Sequence, residues 1–146
     1  MEKEKLEDIA RKIRIDIMKM AHVAGGTHIA PSFSAVEILT VLYSSVLNIG
    51  PDTLDDPDRD RFILSKGHAS AAIFAVLSHF GMLDRNELGT FCRPGSTLGG
   101  HPEKHLVPGI EVSTGSLGHG LSIGGGMAYA AKMDNKDYRV FVVLGD

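Results

Sequence analysis

Cysteine is nearly absent. Cys92 is the single thiol, so no internal disulfide can staple the chain, which fits a reducing, cytoplasmic setting. In Thr-Phe-Cys-Arg-Pro it has no cysteine partner and reads as a small packed hydrophobe. An excess of one charge sign is absent too. The 15 Lys and Arg nearly balance the 18 Asp and Glu, for a net charge of −3. That leaves no basic footprint for nucleic acid or an anionic membrane. No apolar run reads as long enough to cross a bilayer, and the N-terminus is charged and amphipathic from its start, unlike a signal peptide. No strand leads into a Gly-x-Gly-x-x-Gly turn, which excludes the dinucleotide fingerprint. What remains is an ordinary globular composition, 43% hydrophobic and 23% charged. A compact chain of this length buries roughly 70% of its unfolded surface, enough for a real core.

What the chain has in quantity is glycine, concentrated in one stretch. Residues 113–126, Ser-Thr-Gly-Ser-Leu-Gly-His-Gly-Leu-Ser-Ile-Gly-Gly-Gly, hold six of the 17 glycines. They fall where a helical pattern (Leu121, Ile123, Met127, Ala130, Ala131) begins. Glycine is costly inside a helix, so the run implies close approach of a ligand or of a packed sheet. A loop feeding a helix N-terminus also presents unpaired N–H groups to an anionic or polar ligand.

The rest of the chain alternates helices and strands. Leu6, Ile9, Ile13, Ile17 and Met20 recur at helical spacing and stop before Gly25-Gly26. Ser34-Ala-Val-Glu37 reads as a capping box opening a second helix, apolar almost all round and so expected to be buried on more than one side. Residues 50–60 read as an acidic loop, and Arg61-Phe-Ile-Leu64 as a short strand ending in Ser65-Lys-Gly-His68. A helix over residues 69–80 stops at Gly81, and Asp84-Arg-Asn-Glu87 starts another. Residues 92–108 form a long irregular loop. Val140-Phe-Val-Val-Leu144 reads as a strand buried on both faces, as in parallel sheets. The expected fold is α/β, a three-layer parallel sheet with helices on both faces, incomplete at its C-terminal end. Ligands of such sheets lie beyond the carboxyl ends of the strands, here Ser65–His68 and Gly145-Asp146.

Histidine completes the picture. Of the seven, His28, His68, His101 and His119 lie in glycine-flanked loops, where a rigid scaffold concentrates site residues. Their neutral-range pKa suits proton transfer and hydrogen bonding to phosphate or sugar oxygens. His22 and His79 read as structural or surface groups. His101-Pro-Glu-Lys-His105 has the i, i+4 spacing of zinc-binding histidines. The prolines around it exclude a helix, and the glutamate of His-Glu-x-x-His is missing.

Five ordered segments resemble the N-terminal part of the transketolase family, from about Ala10 onward. They are Gly25-Gly-Thr-His28 with Ser34-Ala-Val-Glu-Ile-Leu39, Arg61 to Ala69, Gly99-Gly-His-Pro-Glu103, Ser113 to Gly120, and Val142-Val-Leu-Gly-Asp146. The resemblance implies a diphosphate-binding domain for thiamine diphosphate, with Mg²⁺ or Ca²⁺ bridging the diphosphate. It implies that His28 and His101 act at the substrate, and that His68, Gly115, Ser116, Leu117, His119 and Gly145 contact the cofactor. Asp146 becomes a metal ligand, a task for hard carboxylate oxygens. The reaction implied is transfer of a two-carbon ketol unit between sugar phosphates, with the cofactor carrying the carbon–carbon chemistry.

Ser116 and His119 stand where many transketolases have proline and glutamine. Ser-Leu-Gly-His is nearer to split transketolases and to 1-deoxyxylulose-5-phosphate synthase, which is the enzymatic alternative. The family's asparagine metal ligand and its pyrimidine-binding domain lie outside these residues. The sequence is therefore expected to be a domain cut at Gly145-Asp146 and inactive alone. It would work in a homodimer or heterotetramer with a pyrimidine-binding domain or C-terminal transketolase subunit. A non-catalytic subunit fragment or interaction module is the reading from a different class. The uncovered final strand leads to an expectation of poor solubility or self-association in isolation.

Overall fold

The computed structural model describes residues 2–145, so the expected metal ligand Asp146 lies outside the described residues. The elements are α1 (Lys3–Ala24), α2 (Ile29–Phe33), α3 (Val36–Val41), β1 (Arg61–Leu64), α4 (Ser70–His79), α5 (His119–Met133) and β2 (Val140–Val143). The architecture is mixed α/β, five helices around a two-stranded parallel sheet.

α1 forms because its apolar residues fall on one stripe. Ile9, Ile13, Ile17 and Met20 are buried, while the opposite face carries pairs such as Lys12–Asp8 at 2.6 Å. Such exposed pairs contribute little. The helix ends where Gly25 adopts φ 73°, letting the Gly26 N–H reach the Ala21 carbonyl at 3.0 Å. α4 is sealed the same way by Gly81 (φ 81°), with Met82 N–H on the Leu77 carbonyl. Every residue of α4 from Ser70 to Ser78 is buried, which makes it the central helix of the core.

The segment from residue 29 to 46 departs from its sequence reading in three ways. Ser34 does not cap α3: its hydroxyl donates to the Pro31 carbonyl, and Glu37 pairs with Arg14 instead of closing a capping box. The chain bends at Ser34-Ala35, and a neighbouring helix supplies Glu37 with a better partner. α3 buries Val36, Leu39 and Thr40 but leaves Ile38 (50% exposed) and Val41 (42%) uncovered, so it packs on one side only. Finally, Ile29–Val46 spans 18 residues at mean hydropathy 1.4, long and apolar enough by those measures to cross a membrane. It is not one rod, because the bend and a π turn over Leu42–Val46 interrupt it. Cys92 also differs. It is exposed at φ 54°, because the irregular loop turns its side chain away from the core that Phe91 enters.

The sheet is sandwiched by alternation. Phe62 and Leu64 join the core of α1, α3 and α4, whereas Ile63 and Val142 face the α5 glycines. Register runs from Arg61 opposite Val140 to Leu64 opposite Val143. β2 is half-buried along its length, less than its apolar run implies, because each strand has a single neighbour among the described residues.

Asp60 holds the opening ends of both strands. Its carboxylate accepts from Asn48 N–H (2.9 Å), Arg139 N–H (2.8 Å) and the Arg139 guanidinium (2.6 Å), and it is 4% exposed. Burial pushes this carboxyl up, but the hydrogen bonds from Arg139 and Asn48 outweigh it and hold the pKa below the ordinary value. A depressed carboxylate stabilises the fold above its unfolded pKa of about 3.9 and loses that contribution as pH falls through the folded value.

Asp60→Ala is expected to cost about 2–4 kcal/mol, because the Arg139 guanidinium, the Arg139 N–H before β2 and the loop N–H of Asn48 lose their partner. Urea melts check this, and in the variant the wild-type loss of stability below about pH 4 is correspondingly shallower. At Gly124 a β-carbon would stand 2.5 Å from Val142 Cγ2, whereas at Gly125 it meets nothing within 4 Å. Gly124→Ala is thus expected to destabilise by about 1–3 kcal/mol and Gly125→Ala to stabilise by up to about 1 kcal/mol. Equal effects in thermal melts would contradict the packing.

Candidate functional site

β1 delivers the chain into a tight 3₁₀ turn over Gly67–Ala69 that carries His68 to the carboxyl end of the sheet. A β-carbon on Gly67 would stand 2.6 Å from the Thr114 carbonyl oxygen, so only glycine lets the two loops touch. One on Gly120 would stand 2.6 Å from Ser65 Oγ, the hydroxyl that accepts from the Gly120 N–H at 3.1 Å. These contacts fold residues 113–120 across the end of β1 and start α5 there, with Gly118 at φ 82° as its N-cap. No side chain caps α5, and Ser116, Leu117 (67% exposed) and His119 stand open to solvent around its first turn.

Three of the four expected histidines converge. His28 sits at the entrance of α2, where its carbonyl accepts from Ser32 Oγ at 2.8 Å. Its ring meets His68 edge-on at a centroid distance of 5.5 Å. His101, held by the long loop, lies so close to Gly115 that a β-carbon there would stand 3.4 Å from its Cδ2. The His68 pKa is lowered, first by burial and then by His28, Lys66 and His101, so at neutral pH it is an uncharged imidazole with one N–H to give. His119 stands exposed at the α5 terminus, and among the described residues no hydrogen bond or ring pair joins it to the other three. Gly145 closes the arrangement from β2, where a β-carbon would lie 4.0 Å from Lys66 Cβ.

His105 occupies left-handed backbone (φ 73°) in the loop, exposed. Among the described residues no three His, Cys, Asp or Glu side chains gather to hold a metal ion. Two grooves run along α1, of about 370 and 590 Å³, and both lie away from the histidine cluster. The sequence pattern placed Ser65, Gly67 and Thr114 in the two candidate loops but did not show the contacts by which they lock those loops together. Their only signal was a place beside the histidine and glycine motifs, since the contacts are long-range.

Comparison with known proteins finds relatives over nearly the whole chain. Residues 4–141 match the family described as "Transketolase, thiamine diphosphate binding domain". An apulose-4-phosphate transketolase subunit from Phocaeicola vulgatus is 43% identical over 146 residues, covering 100% of this chain and 52% of that protein. Human transketolase is 39% identical over 142 residues, covering 97% of this chain and 23% of its own. Among solved structures, transketolase from Campylobacter jejuni superposes with a TM-score of 0.89 at 32% identity, over 100% of this chain and 24% of that one. The chain spans about half the length of the apulose-4-phosphate transketolase subunits it matches, and less of the longer transketolases. On the family match, with the histidines and glycine loop gathered at one end of the sheet, the chain belongs to the transketolase thiamine diphosphate binding domain family.

Proposed function

We propose that this chain supplies the diphosphate-binding part of a transketolase assembled from separate subunits. It would transfer a two-carbon ketol unit between sugar phosphates once paired with a pyrimidine-binding domain. The observation that carries the reading is the convergence of His28, His68 and His101 with the Gly115–Gly118 loop beyond the strand ends. Relatives named as transketolase subunits support a partner. So does the outer face of α5, where Leu121, Tyr129 and Met133 are exposed. The two strands are then part of a larger parallel sheet with helices on both faces, working in the cytoplasm.

The residues present fit a diphosphate-bearing cofactor. Gly67 and Gly120 let their loops pack against Thr114 and Ser65, which fixes the exposed backbone of residues 115–119 beyond the strand end, and the α5 N-terminus offers backbone N–H groups without a side-chain cap. When bound, thiamine diphosphate supplies the carbanion chemistry. His68 would donate its N–H to a diphosphate oxygen. Gly115 would bring backbone up to the cofactor, Ser116, His119 and Gly145 would contact it, and the exposed Leu117 would hold it by packing. His101 would hold donor hydroxyls, and His28 would hold or move a proton beside the reacting carbon. Asp146 would hold Mg²⁺ or Ca²⁺ at the diphosphate.

Calorimetry of thiamine diphosphate with Mg²⁺ on the protein paired with its pyrimidine-domain partner tests the reading, and absence of binding by a well-folded complex would overturn it. His68→Gln is expected to weaken binding. Its disadvantage relative to wild type should widen as pH falls from 7.5 to 6, because a bound diphosphate raises the depressed His68 pKa and draws in a proton. A pH-independent difference counts against His68 as the diphosphate ligand. His28→Ala or His101→Ala should lower kcat about 10²–10⁴-fold with cofactor affinity nearly retained.

A further inference from the structure

The outer face of α1 is not uniformly charged. Ile15 (42% exposed) and Met18 (48%) interrupt its Lys, Arg, Asp and Glu residues. They line a groove of about 590 Å³ whose other wall is Phe33 of α2. A second groove, of about 370 Å³, follows the same helix toward its start, with Leu6 and Ala10 on one side and the exposed Val41 of α3 on the other. Arg11 and Arg14 line both, so together the grooves extend along α1 from Lys3 to Val23. That is roughly 30 Å at 1.5 Å per residue. Arg14 is pinned where they meet, its guanidinium 5.6 Å from the Phe33 ring centroid and paired to Glu37.

Charge and backbone bonding select the occupant. From Arg11 onward α1 carries Arg11, Lys12, Arg14 and Lys19 against a single carboxylate, Asp16, which is buried and accepts from Arg85 through both oxygens (2.6 and 2.7 Å). Asp8 serves Arg11 and Lys12 together, at 2.6 Å each. No acid lines the larger groove, whereas Arg11, Arg14, Lys19 and His22 do, on a chain whose net charge is −3. Exposed ion pairs within a helix contribute little, so these cations exchange partners readily. The walls are helices whose backbone groups bond within their own turns, which leaves an extended peptide nothing to pair with. A helix satisfies its own backbone and needs only an apolar stripe to enter such a groove. The exposed carboxylates of Glu7 and Glu37 on the rim of the smaller groove oppose an anionic lipid surface.

We propose that the two grooves form one docking surface for an amphipathic helix of a partner protein. Its apolar side chains rest on Ile15, Met18 and Phe33, and its flanking carboxylates pair with Arg11 and Lys19. Arginine–carboxylate pairing fixes the register of such a helix, and a basic helix of the same shape is repelled. The surface lies away from the histidine cluster, so the inference stands or falls independently of the assignment of that site.

The test is fluorescence anisotropy of the full chain with a labelled synthetic helix of about five turns, leucines at i, i+4 and i+7 spacing and glutamates beside them. Saturable binding is expected, weakened about 10-fold or more by Met18→Asp, which places a charge in the apolar floor. Arg11→Glu combined with Lys19→Glu should weaken the glutamate helix and admit the same helix with lysines in place of its glutamates. All three positions are exposed, and unchanged thermal melts establish that the variants fold. Absence of saturable binding by the glutamate helix, or equal binding of both helices to the wild-type chain, would overturn the proposal. Binding to vesicles of phosphatidylserine and phosphatidylcholine without binding of the helix assigns the face to a membrane and overturns it as well. If sedimentation shows an oligomer that Met18→Asp converts to a monomer, a second copy occupies the grooves and the proposal is lost.

Discussion

The structure depends on how closely α5 and its leading loop approach the sheet. At Gly120 and Gly124 the helix comes within a distance of Ser65 and Val142 that no β-carbon tolerates. Helix propensity opposes glycine at both places, so sheet contact must outweigh an intrinsic cost of about 1 kcal/mol each. The benefit is positional. α5 begins directly over the end of β1, and the backbone of residues 115–119 is laid beside His68 and His101.

A second constraint acts at the opposite end. Asp60, with Arg139, Asn48 and the neighbouring Arg59–Glu111 pair, binds the starts of β1 and β2 to the loop behind them. Polar groups that would be orphaned at strand starts are thereby satisfied without touching the carboxyl ends. One end of the sheet is closed by a saturated polar cluster, and the other stays open with its histidines and free backbone. That polarity is what allows an α/β sheet to bind a ligand at one end only.

Two helices keep apolar surface uncovered among the described residues. Ile38 and Val41 on α3, and Leu121, Tyr129 and Met133 on α5, are exposed where a self-sufficient helix would carry charge. α1 offers the contrast: its open face is largely Lys, Glu, Asp and Arg, although Ile15 and Met18 interrupt it. The apolar character of α3 was legible in its residues. Which of its sides is covered was not, because that depends on neighbours that periodicity cannot name.

The amino-acid sequence by itself determined most of the local elements and the kinds of side chain that the candidate loops carry. The stripe of Ile9, Ile13, Ile17 and Met20 requires a one-sided helix, Gly25 and Gly81 require helix ends, and His28, His68 and His101 beside glycines mark the candidate loops. These are short-range signals, set by periodicity and backbone freedom. Tertiary structure alone decided the remainder. It turned Ser34 from a cap into a partner for Lys66, sent Glu37 to Arg14, exposed Cys92, half-uncovered β2, and left His119 exposed at the start of α5. Each of those outcomes depends on a residue distant in sequence, whose competing hydrogen bond, charge or packing contact exists only once the chain has folded.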